Sequence, residues 1–127
     1  HNLIYWRGGD WAGIGPGAHG RLTLGEVRLA TEAPLAPLDW LRMVEATGSG
    51  ESGRVRISPE DIRTEAIMMG LRLSEGIPEA LVTASSEKSH KIRDLCSLGM
   101  LTSGDGKLIA TPSGRLVLNR LIAELLA

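Results

Sequence analysis

The spacing of apolar residues changes partway along this chain, and the change divides it in two. Leu22, Leu24, Val27 and Leu29 alternate with period two around Gly25-Glu26, the pattern of a β-hairpin. Ahead of them, Asn2-Leu3-Ile4-Tyr5-Trp6-Arg7 reads as a strand, and Gly13-Ile14-Gly15-Pro16-Gly17-Ala18-His19-Gly20 as a glycine-rich loop. Residues 1–33 are therefore expected to form strand, loop and hairpin. Pro34 and Pro37 punctuate the chain and mark the boundary with a helix-rich part over residues 37–127.

In that second part the helical spacing takes over. Pro37 to Thr47 is expected to be a helix with Leu38, Leu41 and Val44 inward, stopped by Gly48, and Arg54 to Ile57 a short strand. Ser58-Pro59-Glu60-Asp61 supplies a capping hydroxyl, a first-turn proline and two carboxylates to a helix whose face is Ile62, Ala66, Met69 and Leu73. A short helix near Pro78 to Thr83 is followed by one from Ser86 to Leu98, with Ile92, Leu95 and Cys96 inward and Gly99 as its stop. Met100–Thr102 and Lys107–Ala110 flank Ser103-Gly104-Asp105-Gly106 as a hairpin. Thr111-Pro112 opens the last helix, with Leu118, Leu121, Ile122 and Leu125 on one face. The fold class is α+β, and the order helix, strand, helices, hairpin, helix suggests that the second part is winged-helix-like.

Composition narrows the function classes. With 127 residues and 43% hydrophobic side chains, the chain can bury roughly two thirds of its unfolded surface. Its 14 basic and 15 acidic residues leave no electrostatic footprint for nucleic acid or an anionic membrane. The single cysteine, Cys96, excludes an internal disulfide, and no secretory pattern opens the chain, so the expected compartment is the cytoplasm. The apolar stretches are far below the roughly 20 residues that span a bilayer. A start at His1 in place of methionine, running at once into an aromatic segment, implies a truncated or processed chain. All four aromatic residues, Tyr5, Trp6, Trp11 and Trp40, lie in its first third.

Several residues carry candidate chemistry. Gly15-Pro16-Gly17-Ala18-His19-Gly20 has the spacing GxGxxG, but the period-two pattern after it offers no helix start to face a pyrophosphate, and Pro16 removes an amide donor. A tight turn that lets another group approach closely is the better reading. His90 sits among polar residues on a solvated helix face, and Cys96 reads as a buried, inert thiol. Lys88, Lys91 and Arg93 precede the hairpin, where some winged helices meet DNA, but Glu87 and Asp94 offset them. His1 could chelate copper through amine and imidazole with His19 or His90, or ligate heme iron beside the rings of Tyr5 and Trp6. From the residues alone, core packing of the rings outweighs both.

His1-Asn2-Leu3-Ile4-Tyr5-Trp6 matches the motif HNxxYW, and GIGPGAHG looks like a glycine loop, of the heme-chaperone (HemW) branch of the radical-SAM proteins. EAIMMGLRLSEGI (residues 65–77) and TPSGRLVLNRLI (residues 111–122) are similar to that family's carboxyl-terminal domain. The resemblance spans the chain. Close relatives that oxidise coproporphyrinogen III without oxygen do not share the six-residue motif. The resemblance implies a parent that binds a [4Fe-4S] cluster through CxxxCxxC, binds S-adenosylmethionine and heme, and passes heme to acceptor proteins. It implies heme binding at His1, with Asn2, Tyr5 and Trp6 beside it. It also places Gly13, Gly15, Gly17 and Ala18 near the methionine cofactor, and makes residues 1–33 the end of a barrel that lies upstream. With one cysteine the chain cannot supply the cluster's thiolates. It is expected to be a non-catalytic accessory domain; the alternative is a fragment of an oxygen-independent coproporphyrinogen III oxidase. Unpaired strands in residues 1–33 would favour a homodimer formed through them.

Overall fold

The computed structural model describes residues 2–83 and 86–127. Contacts divide the chain into two compact units, one of Leu3–Tyr5 and Gly9–Pro59, the other of Asn2, Trp6–Gly8 and Glu60–Ala127. This division falls at Pro59, whereas the compositional boundary lies at Pro34–Pro37. The α+β class is as expected: two small antiparallel sheets with helices.

The first unit is built on a three-stranded antiparallel sheet of β1 (His19–Leu24), β2 (Val27–Glu32) and β3 (Gly53–Arg56), in the order β1-β2-β3. The expected hairpin is present, with Leu22 opposite Leu29 and Thr23 opposite Arg28. The third strand is added to it by α2 (Pro37–Thr47), whose ends agree with the sequence reading: Pro37 opens it and the Gly48 amide bonds the Val44 carbonyl at 2.8 Å. The inward face of α2 is different from the expected one. Leu38 and Leu41 are 66% and 44% exposed, while Trp40, Met43 and Val44 are half-buried. The indole sets the rotation, because it is the largest apolar group on the helix and packs against Gly50, where an added Cβ would come within 2.8 Å of its Cδ1.

The segment expected to be the first strand is a helix, α1 (Asn2–Trp6). Its β-favouring side chains are overruled by the two glycines after it. Gly8 takes a left-handed φ of 70°, and the Gly9 amide bonds back to the Ile4 carbonyl at 2.8 Å. That is the six-to-one bond of a Schellman cap, which closes a helix and cannot continue a strand.

The second unit holds the core. Residues 59–70 form α3 (Pro59–Gly70), starting where Pro59 predicts. The residues it buries are Ile67 and Gly70, with Leu71 and Leu73 just beyond its end, whereas Ile62 is 37% exposed. β4 (Ile77–Pro78) pairs with β6 (Lys107–Ala110), which pairs with β5 (Leu101–Gly104), giving the order β4-β6-β5. The short helix expected near Pro78 to Thr83 is a single 3-10 turn at Glu79–Leu81. Next come α4 (Ser86–Ser97), which buries Ile92 and half-buries Leu95 and Cys96, and the β5–β6 hairpin. That hairpin turns on Asp105 and Gly106 at φ 52° and 72°, the two left-handed residues of a type I′ connection. The last helix is split at Val117 into α5 (Pro112–Leu116) and α6 (Leu118–Leu126). The Thr111 hydroxyl caps α5 by accepting from the Gly114 amide at 3.0 Å. Leu121, Ile122 and Leu125 of α6 join Ile67, Leu71, Ile77, Val82, Ile92, Leu101 and Leu108 in one buried cluster. No helix among the described residues is long and apolar enough to cross a membrane.

Candidate functional site

His1, the histidine of the HNxxYW segment, lies outside the described residues. The rest of the segment is α1, where residues three and four apart share a face, so Asn2 projects on the side of Tyr5 and Trp6. Asn2 is exposed and the two rings are half-buried.

The segment after α1 is tied to the hairpin. The Asp10 carboxylate accepts from the Thr23 amide at 2.6 Å and from the Thr23 hydroxyl at 2.8 Å. The Arg28 guanidinium donates to Asp10 at 3.3 Å and to the Gly9 carbonyl at 3.2 Å. These bonds, those from Thr23 foremost, hold the Asp10 carboxyl below its ordinary range. Trp11 exchanges two 2.9 Å backbone bonds with Arg21 and donates its indole N–H to the His19 carbonyl at 3.1 Å. The Arg21 guanidinium sits 5.7 Å from the Trp11 ring centre, and Tyr5 meets Trp11 edge-on at 4.7 Å.

The glycine loop runs against the same strand. A Cβ on Gly13 would fall 2.7 Å from the His19 carbonyl carbon and oxygen, and one on Gly20 would strike the Thr31 hydroxyl. The close approach expected of this loop is thus an approach to its own hairpin. Gly15 and Gly17 take φ values of 103° and 68°. The amides of Gly17 and Ala18 donate to the Pro34 and Gly15 carbonyls at 2.7 and 3.2 Å, so they are spent within the chain. His19 begins a strand, not a helix, and the loop lacks the helix start that a dinucleotide site uses.

In the second unit, Trp6, Arg7, Gly70, Leu73, Glu75 and Ile77 line part of a cavity of about 210 Å³, smaller than the roughly 300–1,000 Å³ of small-molecule sites. Arg7 donates to Glu75 at 2.8 Å and holds that carboxyl below its ordinary range. His90 contacts Arg93 at 2.7 Å on the exposed side of α4. Burial, and after it the Glu79 carboxylate, push the Cys96 thiol up. Among the described residues no three His, Cys, Asp or Glu side chains converge to hold a metal ion.

Asp10, Trp11 and Arg28 are not singled out by the sequence. Their side-chain partners named above lie 6 to 19 residues away, and no spacing rule marks such a contact.

Residues 57–117 match the family model described as the HemN C-terminal domain. The chain is 32% identical to the zebrafish (Danio rerio) protein "Radical S-adenosyl methionine domain-containing protein 1, mitochondrial", over 99% of its own length and 31% of that protein's. It is 29% identical to "Heme chaperone HemW" of Mycobacterium tuberculosis H37Rv, over 99% and 31% of the two chains. The corresponding protein of Escherichia coli K12 is 30% identical, with 100% and 34% covered. The chain spans about a third of the length of these relatives. A solved structure, "Coproporphyrinogen III oxidase (HemN) from Escherichia coli is a Radical SAM enzyme", superposes with a TM-score of 0.67 over 92% of this chain and 28% of that one, at 14% identity. The fold is therefore similar to that of the HemN carboxyl-terminal region: residues 57–117 match the HemN C-terminal domain, and along its length the chain is similar in sequence to HemW heme chaperones and radical-SAM-domain proteins.

Proposed function

We propose that this chain is the non-catalytic accessory part of a cytoplasmic radical-SAM heme chaperone, which binds heme and hands it to an acceptor protein. The observation that carries this reading is the single helical face formed by Asn2, Tyr5 and Trp6 directly after His1. His1 supplies the imidazole for the iron, and the two rings and the Asn2 amide border the macrocycle. In the intact protein the Gly13, Gly15, Gly17 and Ala18 backbone lies near S-adenosylmethionine, and residues 1–33 complete the barrel. Residues 37–127 serve as a winged-helix-like part used for protein packing.

The residues present do not fit a [4Fe-4S] cluster. Cys96 is the one thiol in the sequence, half-buried and harder to ionise than a free cysteine. The cluster thiolates belong to a barrel that is outside this chain.

A second reading, a fragment of an oxygen-independent coproporphyrinogen III oxidase, is supported by the structural likeness to that enzyme. The two are separated by assaying the full-length protein with heme-loaded cluster-bearing preparations and with coproporphyrinogen III. Transfer of heme to an apo acceptor with no decarboxylated product supports the chaperone. Decarboxylated product without transfer overturns it.

A further inference from the structure

Between α1 and the hairpin the chain makes polar contacts that neither the HNxxYW motif nor the glycine loop accounts for. Thr23 and Arg28 are a cross-strand pair of β1 and β2, and both reach the same carboxylate, that of Asp10. Arg28 is the better anchored partner. Its side chain is 15% exposed, and its carbonyl accepts the Ile57 amide at 3.0 Å, tying β2 to the end of β3. From that fixed point one guanidinium spans two groups, the Asp10 carboxylate and the Gly9 carbonyl. Gly9 is the residue whose amide closes the cap of α1 on Ile4. The next residue after Asp10, Trp11, is bonded to β1 through Arg21 and touches Tyr5 edge-on.

We infer that Asp10 and Arg28 are positioning residues for the heme-binding segment: by clamping Gly8–Trp11 to the Thr23/Arg28 pair they fix where α1 ends and which way the Tyr5 ring faces. The inference rests on the heme-binding reading of α1 and extends it to two residues outside the motif. The physical case is one of preorganisation. A five-residue helix is too short to hold itself in water, so its orientation comes from what grips its ends. A carboxylate that accepts three bonds from a cross-strand pair is a rigid grip, and so is a planar guanidinium that bridges a backbone carbonyl and that carboxylate. Rigid support of this kind lowers the ordering cost of binding.

The test uses the 127-residue chain as wild type, D10N, R28K, T23S and H1A, each checked for folding by far-ultraviolet circular dichroism. Hemin is then titrated by the Soret band. R28K keeps the charge but replaces the planar fork, whose two terminal nitrogens reach Asp10 and Gly9, with a single ammonium nitrogen, and T23S keeps both bonds to Asp10. Near-ultraviolet circular dichroism, to which Tyr5 and Trp11 contribute together with Trp6 and Trp40, reports the packing of the rings before any ligand is added. The expected result is a hemin Kd raised about tenfold, with loss of the near-ultraviolet band, in D10N and R28K, while T23S behaves as wild type. Folded D10N and R28K that bind hemin with the wild-type Kd and Soret position overturn the inference, and so does a near-ultraviolet band that persists in both. An H1A spectrum identical to wild type, or no uptake by wild type, removes the heme-binding reading on which the inference stands. Because H1A is scored separately from D10N and R28K, the two failures are told apart.

Discussion

Gly13 illustrates how a residue can be conspicuous in the sequence for one reason and required by the structure for another. It belongs to a glycine loop that resembles a cofactor-facing segment, yet its missing Cβ is what lets the loop lie against the His19 carbonyl. Replacing it with alanine forces the loop off β1, and overpacking of this kind costs about 1–3 kcal/mol. Thermal unfolding of Gly13→Ala should show a clear drop in midpoint, and an unchanged midpoint would mean that the loop yields freely. Two carboxyls, one in each unit, set an acid dependence. The carboxyls of Asp10 and Glu75 are both depressed in the folded chain, by Thr23 and Arg7 respectively. A depressed carboxylate contributes stability above its unfolded value, about 3.9 for Asp and 4.3 for Glu, and loses it as pH falls through the folded one. Stability should therefore decline below about pH 4, and Asp10→Asn should flatten part of that decline in melts recorded from pH 7 downward.

The elements show why some of this fold was legible in the sequence. Where a terminus is written in local chemistry, sequence and structure agree: Pro37 and Gly48 bound α2, Pro59 opens α3 and Gly99 ends α4, while the last hairpin turns on Asp105-Gly106 alone and takes the expected loop residues Ser103 and Gly104 into β5. The Thr111 cap belongs to the same class. Thr111→Ala should cost about 1 kcal/mol in urea unfolding, whereas an effect within about 0.5 kcal/mol would mean that Pro112 alone starts α5. Two kinds of feature were not legible. α1 reads as a strand because Ile4, Tyr5 and Trp6 favour sheet, and only the Gly8–Gly9 cap makes it helical. The buried face of α3 is also shifted, to Ile67 and Gly70, because the helix ends at Gly70 and Leu73 reaches the core from the turn beyond it. Ile67 is fully buried, so Ile67→Ala should cost about 2–5 kcal/mol; a smaller loss would place the centre of the core elsewhere. The candidate site divides the same way. The motif is visible as a string of residues, but the Asp10–Arg28 clamp depends on strand register that no local pattern encodes.

At the scale of the whole molecule, the three-stranded sheet β1-β2-β3 means that residues 1–33 do not stand apart from the rest of the first unit, since β2 pairs with both β1 and β3. A chain starting at Pro34 leaves β3 without a strand beside it. If the intact chain dimerises through residues 1–33, light scattering will give twice the monomer mass for the whole chain and a monomer for the truncated one. A dimer that survives the truncation places the interface outside residues 1–33. The central claim, that His1 and the α1 rings form a heme site, is tested most directly by titrating the intact chain and its H1A variant with hemin. A Soret band that shifts on binding to the wild type and fails to shift with H1A is the predicted result. The same shifted band in both proteins, or none in the wild type, would contradict it.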